Sequence, residues 1–132
     1  MGLEYVIFTG FVDRIWEIEN IMNLQLNASY GTEATSLALL EGMSLGIPAV
    51  VSDFGGNPYV IEDGVNGLVI PKQNAALLAE TIEKLVSQPQ LYQRLAEGCR
   101  QVYASSFTAQ AMTGQMETLY EKLIKKEGHA HE

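Results

Sequence analysis

The sequence predicts an α/β domain in which a parallel sheet is flanked by helices. Three observations predict it. Short β-branched and apolar runs alternate with stretches whose apolar residues recur at helical spacing. Glycine and proline punctuate the boundaries between them. The 132 residues are 47% hydrophobic and 18% charged, the balance of a single globular domain and not of a disordered chain. A chain of this length buries ~68% of its unfolded surface and needs no disulfide or metal staple.

The elements follow in order. Residues 5–9, Tyr-Val-Ile-Phe-Thr closed by Gly10, read as a buried strand. Ile15, Ile18, Ile21 and Met22 share one helical face. Residues 24–28 alternate weakly and predict a second strand. A helix then opens near Thr35 and Ser36 and is stopped by Gly46 and Pro48. Residues 48–52 predict a third strand, and residues 67–70, ended by Pro71, a fourth. Asn74 is the expected N-cap of a helix reaching about Val86, with Leu77, Leu78, Ile82, Leu85 and Val86 inward. Pro89 starts the next helix, to about Ala104. Thr108 or Ser106 caps the last, whose apolar positions include Met112, Met116, Leu119, Leu123 and Ile124. Residues 125–132 form a polar tail; His129 and His131 in it lack a third metal ligand nearby.

Eight basic against sixteen acidic side chains give a formal charge of −8. That sign opposes nucleic acid and anionic membrane surfaces, which require basic patches. It leaves room for one anionic small molecule at a helix N-terminus, where the field is local. Cys99 is the single cysteine, so no internal disulfide forms, and no zinc-like spacing is present. The opening residues lack a signal-peptide pattern, and no apolar run approaches the ~20 residues of a membrane span. A reducing, cytoplasmic setting is expected.

In parallel α/β sheets ligands sit where strands pass into helix N-termini. Two segments have that form, residues 29–36 and 53–58. Behind Thr35 and Ser36 the unpaired N–H groups and positive end of the helix suit a diphosphate. Glu33 lies in the loop and Glu41 in the second helical turn, and a carboxylate can accept two hydrogen bonds from a vicinal diol. The bland alternative has Thr35 and Ser36 capping the helix, Glu33 complementing its dipole and Glu41 solvated. Trp16 is expected to pack and Cys99 to be unreactive for want of a basic pocket.

Seven residues separate Glu33 from Glu41, and Gly42-Met43-Ser44-Leu45-Gly46-Ile47-Pro48-Ala49-Val50-Val51 follow. This resembles the E-x(7)-E motif and "EAMAxGxPVV" run of retaining glycosyltransferases of family 4, within the glycosyl transferases group 1. Residues 52–71, with Gly55-Gly56-Asn57-Pro58 and Asp63-Gly64-Val65-Asn66-Gly67, resemble the family's next stretch, and Val6–Gly10 look like its strand before the base-binding loop. The resemblance runs in collinear order from residue 5 to about 124. It implies a Rossmann-like parallel sheet belonging to the C-terminal, donor-binding domain of a GT-B fold. Residues 1–124 would form part of that domain, with residues 125–132 as its tail.

By resemblance, Glu33 contacts the donor sugar and is the catalytic residue, while Glu41 binds the ribose hydroxyls. The backbone of Thr35, Ser36 and Leu37 holds the diphosphate. Phe11 and Val12 fall in the loop where the base packs, and Gly55 and Gly56 match a turn close to the site. The family's "E-G-F-G" is Glu33-Ala34-Thr35-Ser36 here, and Tyr59 stands where a glutamate is usual. The implied reaction moves a sugar from a nucleotide diphosphate sugar to an acceptor hydroxyl with retention, through helix N–H groups and cations and without a metal or other cofactor. The acceptor domain and two strands of the usual donor domain are not matched, so the chain is expected to be inactive alone. In the usual 3-2-1-4-5-6 order those strands separate Val6–Thr9 from Leu24–Ala28. The first strand is therefore expected to re-pair with residues 24–28, or another chain, a second copy included, to fill the gap. The rival expectation is a non-catalytic nucleotide-sugar-binding or oligomerisation module on the same fold.

Overall fold

A computed structural model of the chain describes residues 4–32 and 34–128, with side chains to residue 125. Its sheet has three parallel strands in the order β1 (Gln25–Asn27), β2 (Ala49–Ser52), β3 (Gly67–Ile70). Gln25 pairs with Ala49, and Ala49 in turn with Gly67. Six α-helices surround it: α1 (Ile15–Glu19), α2 (Leu37–Leu45), α3 (Asn57–Val60), α4 (Ala75–Ser87), α5 (Pro89–Val102) and α6 (Ala109–Gly128). A π-helical turn, Tyr103–Phe107, joins the last two.

All four residues of β2 are buried, because this central strand has helices over both faces. Its alternation divides the core. Ala49 and Val51 pack with Leu39 and Met43 of α2, with Val60 and Ile61, and with Cys99 of α5. Val50 points the other way, to Ile70 of β3, Leu85 of α4 and Leu95 of α5.

Helix ends follow the local chemistry. Gly46 terminates α2 at φ 75°, and the Ile47 N–H donates to the Gly42 carbonyl at 2.9 Å. Asn74 caps α4 by accepting from the Leu77 N–H at 3.0 Å, as its sequence predicts. Thr108, of the two candidates, caps α6 through Oγ1 and the Ala111 N–H at 3.1 Å.

The loop into β3 explains the Asp-Gly-x-Asn-Gly run as architecture. Asn66, fully buried, accepts from the Glu62 N–H at 2.7 Å and donates to the Val60 carbonyl at 3.0 Å. Asp63 accepts from the Val69 N–H at 2.9 Å. A side chain at Gly67 would meet the Ala49 carbonyl across the sheet.

Several expectations change. Residues 5–9 form no strand and do not re-pair with residues 24–28. Tyr5, Ile7 and Phe8 are each more than four-fifths exposed. β-propensity reflects packing against neighbouring strands, and this segment has none among the described residues. β1 is accordingly an edge strand. The first helix stops at Glu19, and α3, led by Asn57 and Pro58, was hidden inside a presumed loop. The apolar residues of α6 stay about half exposed, and so does Trp16.

Candidate functional site

The chain enters the site from the C-terminal ends of β1 and β2. After β1 it runs to Ser36, the N-cap of α2, whose backbone is extended (φ −79°, ψ 109°) and whose hydroxyl caps nothing. The first N–H groups of α2 therefore keep no side-chain acceptor from the cap, and Ser36 does not play the bland role open to it. Thr35 is exposed, and so is Leu37 at the first helical position. After β2 the chain turns at Gly55, which holds φ 57°, a region that favours glycine. Gly56 then lies directly against the Ala34 carbonyl, where any side chain would collide. The paired glycines thus dock one loop on the other. Asn57 follows, buried, donating through Nδ2 to the Ser52 carbonyl and to Ser52 Oγ, each at 3.2 Å. Its Oδ1 is buried and has no partner.

Glu41 sits in the second turn of α2, exposed, at a groove of about 400 Å3 between α1, β1 and α2. Ile18, Glu19, Gln25, Asn27 and Ser36 line the same groove. Glu19 is only 7% exposed, covered by its neighbours although α1 lies at the molecular surface. Loss of solvation, then the Glu41 charge and a hydrogen bond to the Glu41 carboxyl, push the Glu19 pKa up. Gln25 spans from β1 to α2, its Nε2 donating to the Ala38 carbonyl at 2.8 Å. Its side chain fills the space over Gly42, and its Oε1 is buried without a partner.

The structure thus assembles Ser36 and Glu41 on one groove, with Gly55 and Gly56 buttressing the loop before α2. Phe11 and Val12 lie in the segment before α1, the first exposed and the second half-buried. Neither lines the groove. Glu33 lies outside the described residues. Glu19, Gln25 and Asn57 are polar residues here that the sequence reading did not single out. For Glu19 a signal existed: it lies four residues after Ile15, on the apolar side of α1. A larger apolar groove, about 550 Å3, lies by Leu24, Leu85, Val86, Pro89 and Tyr92 and holds none of these residues. Among the described residues no cluster of three or more His, Cys, Asp or Glu could hold a metal ion. No described helix is long and apolar enough to cross a membrane.

Known proteins share this arrangement. The sequence model for "Glycosyl transferases group 1" matches residues 2–102. The chain is 28% identical over 120 residues to the N-acetyl-alpha-D-glucosaminyl L-malate synthase of Bacillus anthracis, covering 91% of this chain and 31% of that protein. The structure of Anabaena HepE in complex with UDP superposes with a TM-score of 0.79 at 25% identity, covering 86% of this chain and 32% of that one. HepE is also known in complex with UDP-glucose. Sucrose-phosphate synthase of Thermosynechococcus elongatus gives a TM-score of 0.77 at 27% identity, covering 91% and 30%. The chain spans about a third of the length of these relatives. With a family match over most of its length and the corresponding sheet and helices in place, the chain belongs to the glycosyl transferases group 1 family and has the fold of the C-terminal domain of GT-B glycosyltransferases.

Proposed function

We propose that the chain is the donor-binding portion of a retaining glycosyltransferase of family 4, which takes a sugar from a nucleotide diphosphate sugar and passes it to an acceptor hydroxyl. One observation carries this reading: the N-terminus of α2, uncapped by Ser36, adjoins the groove that Glu41 lines. A diphosphate at the first N–H groups of α2 is stabilised by hydrogen bonds and the helix dipole. Glu41 then accepts from the ribose diol, and Glu33 contacts the sugar. The complexes of HepE with UDP and UDP-glucose support a donor of this class. Helix N–H groups oppose the charge that develops on the leaving diphosphate, so no metal is assigned to the reaction. The acceptor is assigned to another domain, and these 132 residues alone bind donor without transferring it.

Amide NMR titration with UDP, GDP, ADP and dTDP tests the reading. One nucleotide is expected to shift amides over residues 29–41, and Glu41→Ala to abolish the shifts while the spectrum stays dispersed. A folded chain that ignores all four overturns it.

A second reading, an oligomerisation module, is favoured by the open edge of β1 and by exposed Tyr5, Ile7, Phe8 and Leu26. It places a second copy along that edge.

A further inference from the structure

We propose that Glu19 is the positioning residue for Glu41: the two carboxyls share one proton, and Glu19 donates it to hold the Glu41 carboxylate at the groove for a ribose diol. The inference rests on the donor-binding reading of Glu41. Its geometry comes from three elements that meet at one place. Glu19 ends α1 and is covered, Glu41 projects from α2, and both line the groove whose wall is Gln25 of β1. A hydrogen bond between two carboxyls requires a proton on one of them. The covered member keeps it, because burial disfavours its charged form, and the raised pKa of Glu19 agrees.

Glu19 and Glu41 are the only charged groups lining the groove from α1, β1 and α2. The remaining charges of α1, Arg14 and Glu17, pair with each other at 2.7 Å on its exposed side. No cation therefore relieves the two carboxyls, and the pair titrates as a unit. The unpartnered Oε1 of Gln25 places a further acceptor beside them.

The singly protonated pair is the competent state. Below it Glu41 loses its charge and its second accepting oxygen. Above it Glu19 ionises, the carboxylates repel, and Glu41 leaves its bound orientation. Nucleotide affinity should therefore fall on both sides of an optimum.

The test measures, by amide NMR, the dissociation constants of UDP, GDP, ADP and dTDP for the wild type, Glu19→Gln and Glu19→Ala across acid to mildly alkaline pH. Taking the ratio to wild type at each pH cancels titration of the nucleotide's own phosphate. Glu19→Gln, which still donates, should stay within about threefold of the wild type near the optimum and lose the alkaline fall. Glu19→Ala should bind about tenfold more weakly with its spectrum still dispersed. Carboxyl carbon shifts without ligand should show Glu19 and Glu41 titrating in two coupled steps, reduced to one ordinary step in Glu19→Gln. If the tightest nucleotide binds wild type and Glu19→Ala alike at every pH, the positioning role is wrong while donor binding stands. If none binds the folded wild type, the donor reading fails and the positioning role fails with it.

Discussion

A methyl group at Gly56 would fall on the Ala34 carbonyl oxygen, so the cost of Gly56→Ala is a backbone displacement in the loop that leads to α2. We expect it to destabilise the chain by about 2–3 kcal/mol in urea unfolding and to weaken nucleotide binding, whereas an unchanged midpoint would show that the loops do not touch. Cys99 belongs to the same scale. It is fully buried, its Sγ 3.0 Å from the Asn66 carbonyl, and burial pushes its pKa up to about 11 against the lowering pull of Arg100. Thiol labelling at pH 8 should run at least about a hundredfold slower in the native chain than in urea. The sequence had already marked Cys99 as unreactive for want of a basic neighbour, and burial proves the stronger reason. Glu41 and Ser36 were legible because the spacing Glu33 to Glu41 and the hydroxyl pair before an apolar helix are local patterns. Glu19 was not, since its partner is on another element, and no local pattern reports a contact between α1 and α2.

At the scale of elements, β1 and α2 are matched through one exchange of volume. The family's run has alanine where this chain has Gly42, and Gln25 of β1 occupies the space so released. Alanine is worth about 1 kcal/mol more than glycine in a helix interior, yet with Gln25 present the overlap should outweigh that gain and make Gly42→Ala destabilising. In a Gln25→Ala background the same substitution should become neutral or stabilising. A thermodynamic cycle over the two sites measures the coupling, and additive effects would mean that β1 and α2 do not interlock. Elements with strong local signals were read closely: β3 spans Gly67–Ile70 as the sequence predicts, and Asn74 opens α4. Residues 5–9 were misread because their composition asks for a strand while their surroundings offer no ladder. The short α3 escaped notice because its four residues lie in a Gly-Pro segment that also reads as a turn.

For the whole molecule, the two cores lie on β2 and the helices beside it, while the first eleven described residues and α6 keep large apolar side chains in solvent. Contiguous exposure of that kind drives association. Sedimentation velocity should give a mass that rises above 14.5 kDa with concentration. Leu26→Lys, a charge on the open edge of β1, should return it to the monomer. A constant 14.5 kDa at every concentration would remove the oligomeric reading. The parallel α/β class was legible from alternation alone, but the identity of the edge strand was not, because strand neighbours are chosen by tertiary contacts. The order β1, β2, β3 in space is also the order along the chain, and that has a kinetic consequence. Each strand needs only its immediate predecessor and one intervening helix to find its place, so loop-closure entropy is met in small instalments. The sheet can therefore assemble progressively as the polypeptide leaves the ribosome, with α2 and the first parallel pair in place before α5 and α6 have been synthesised.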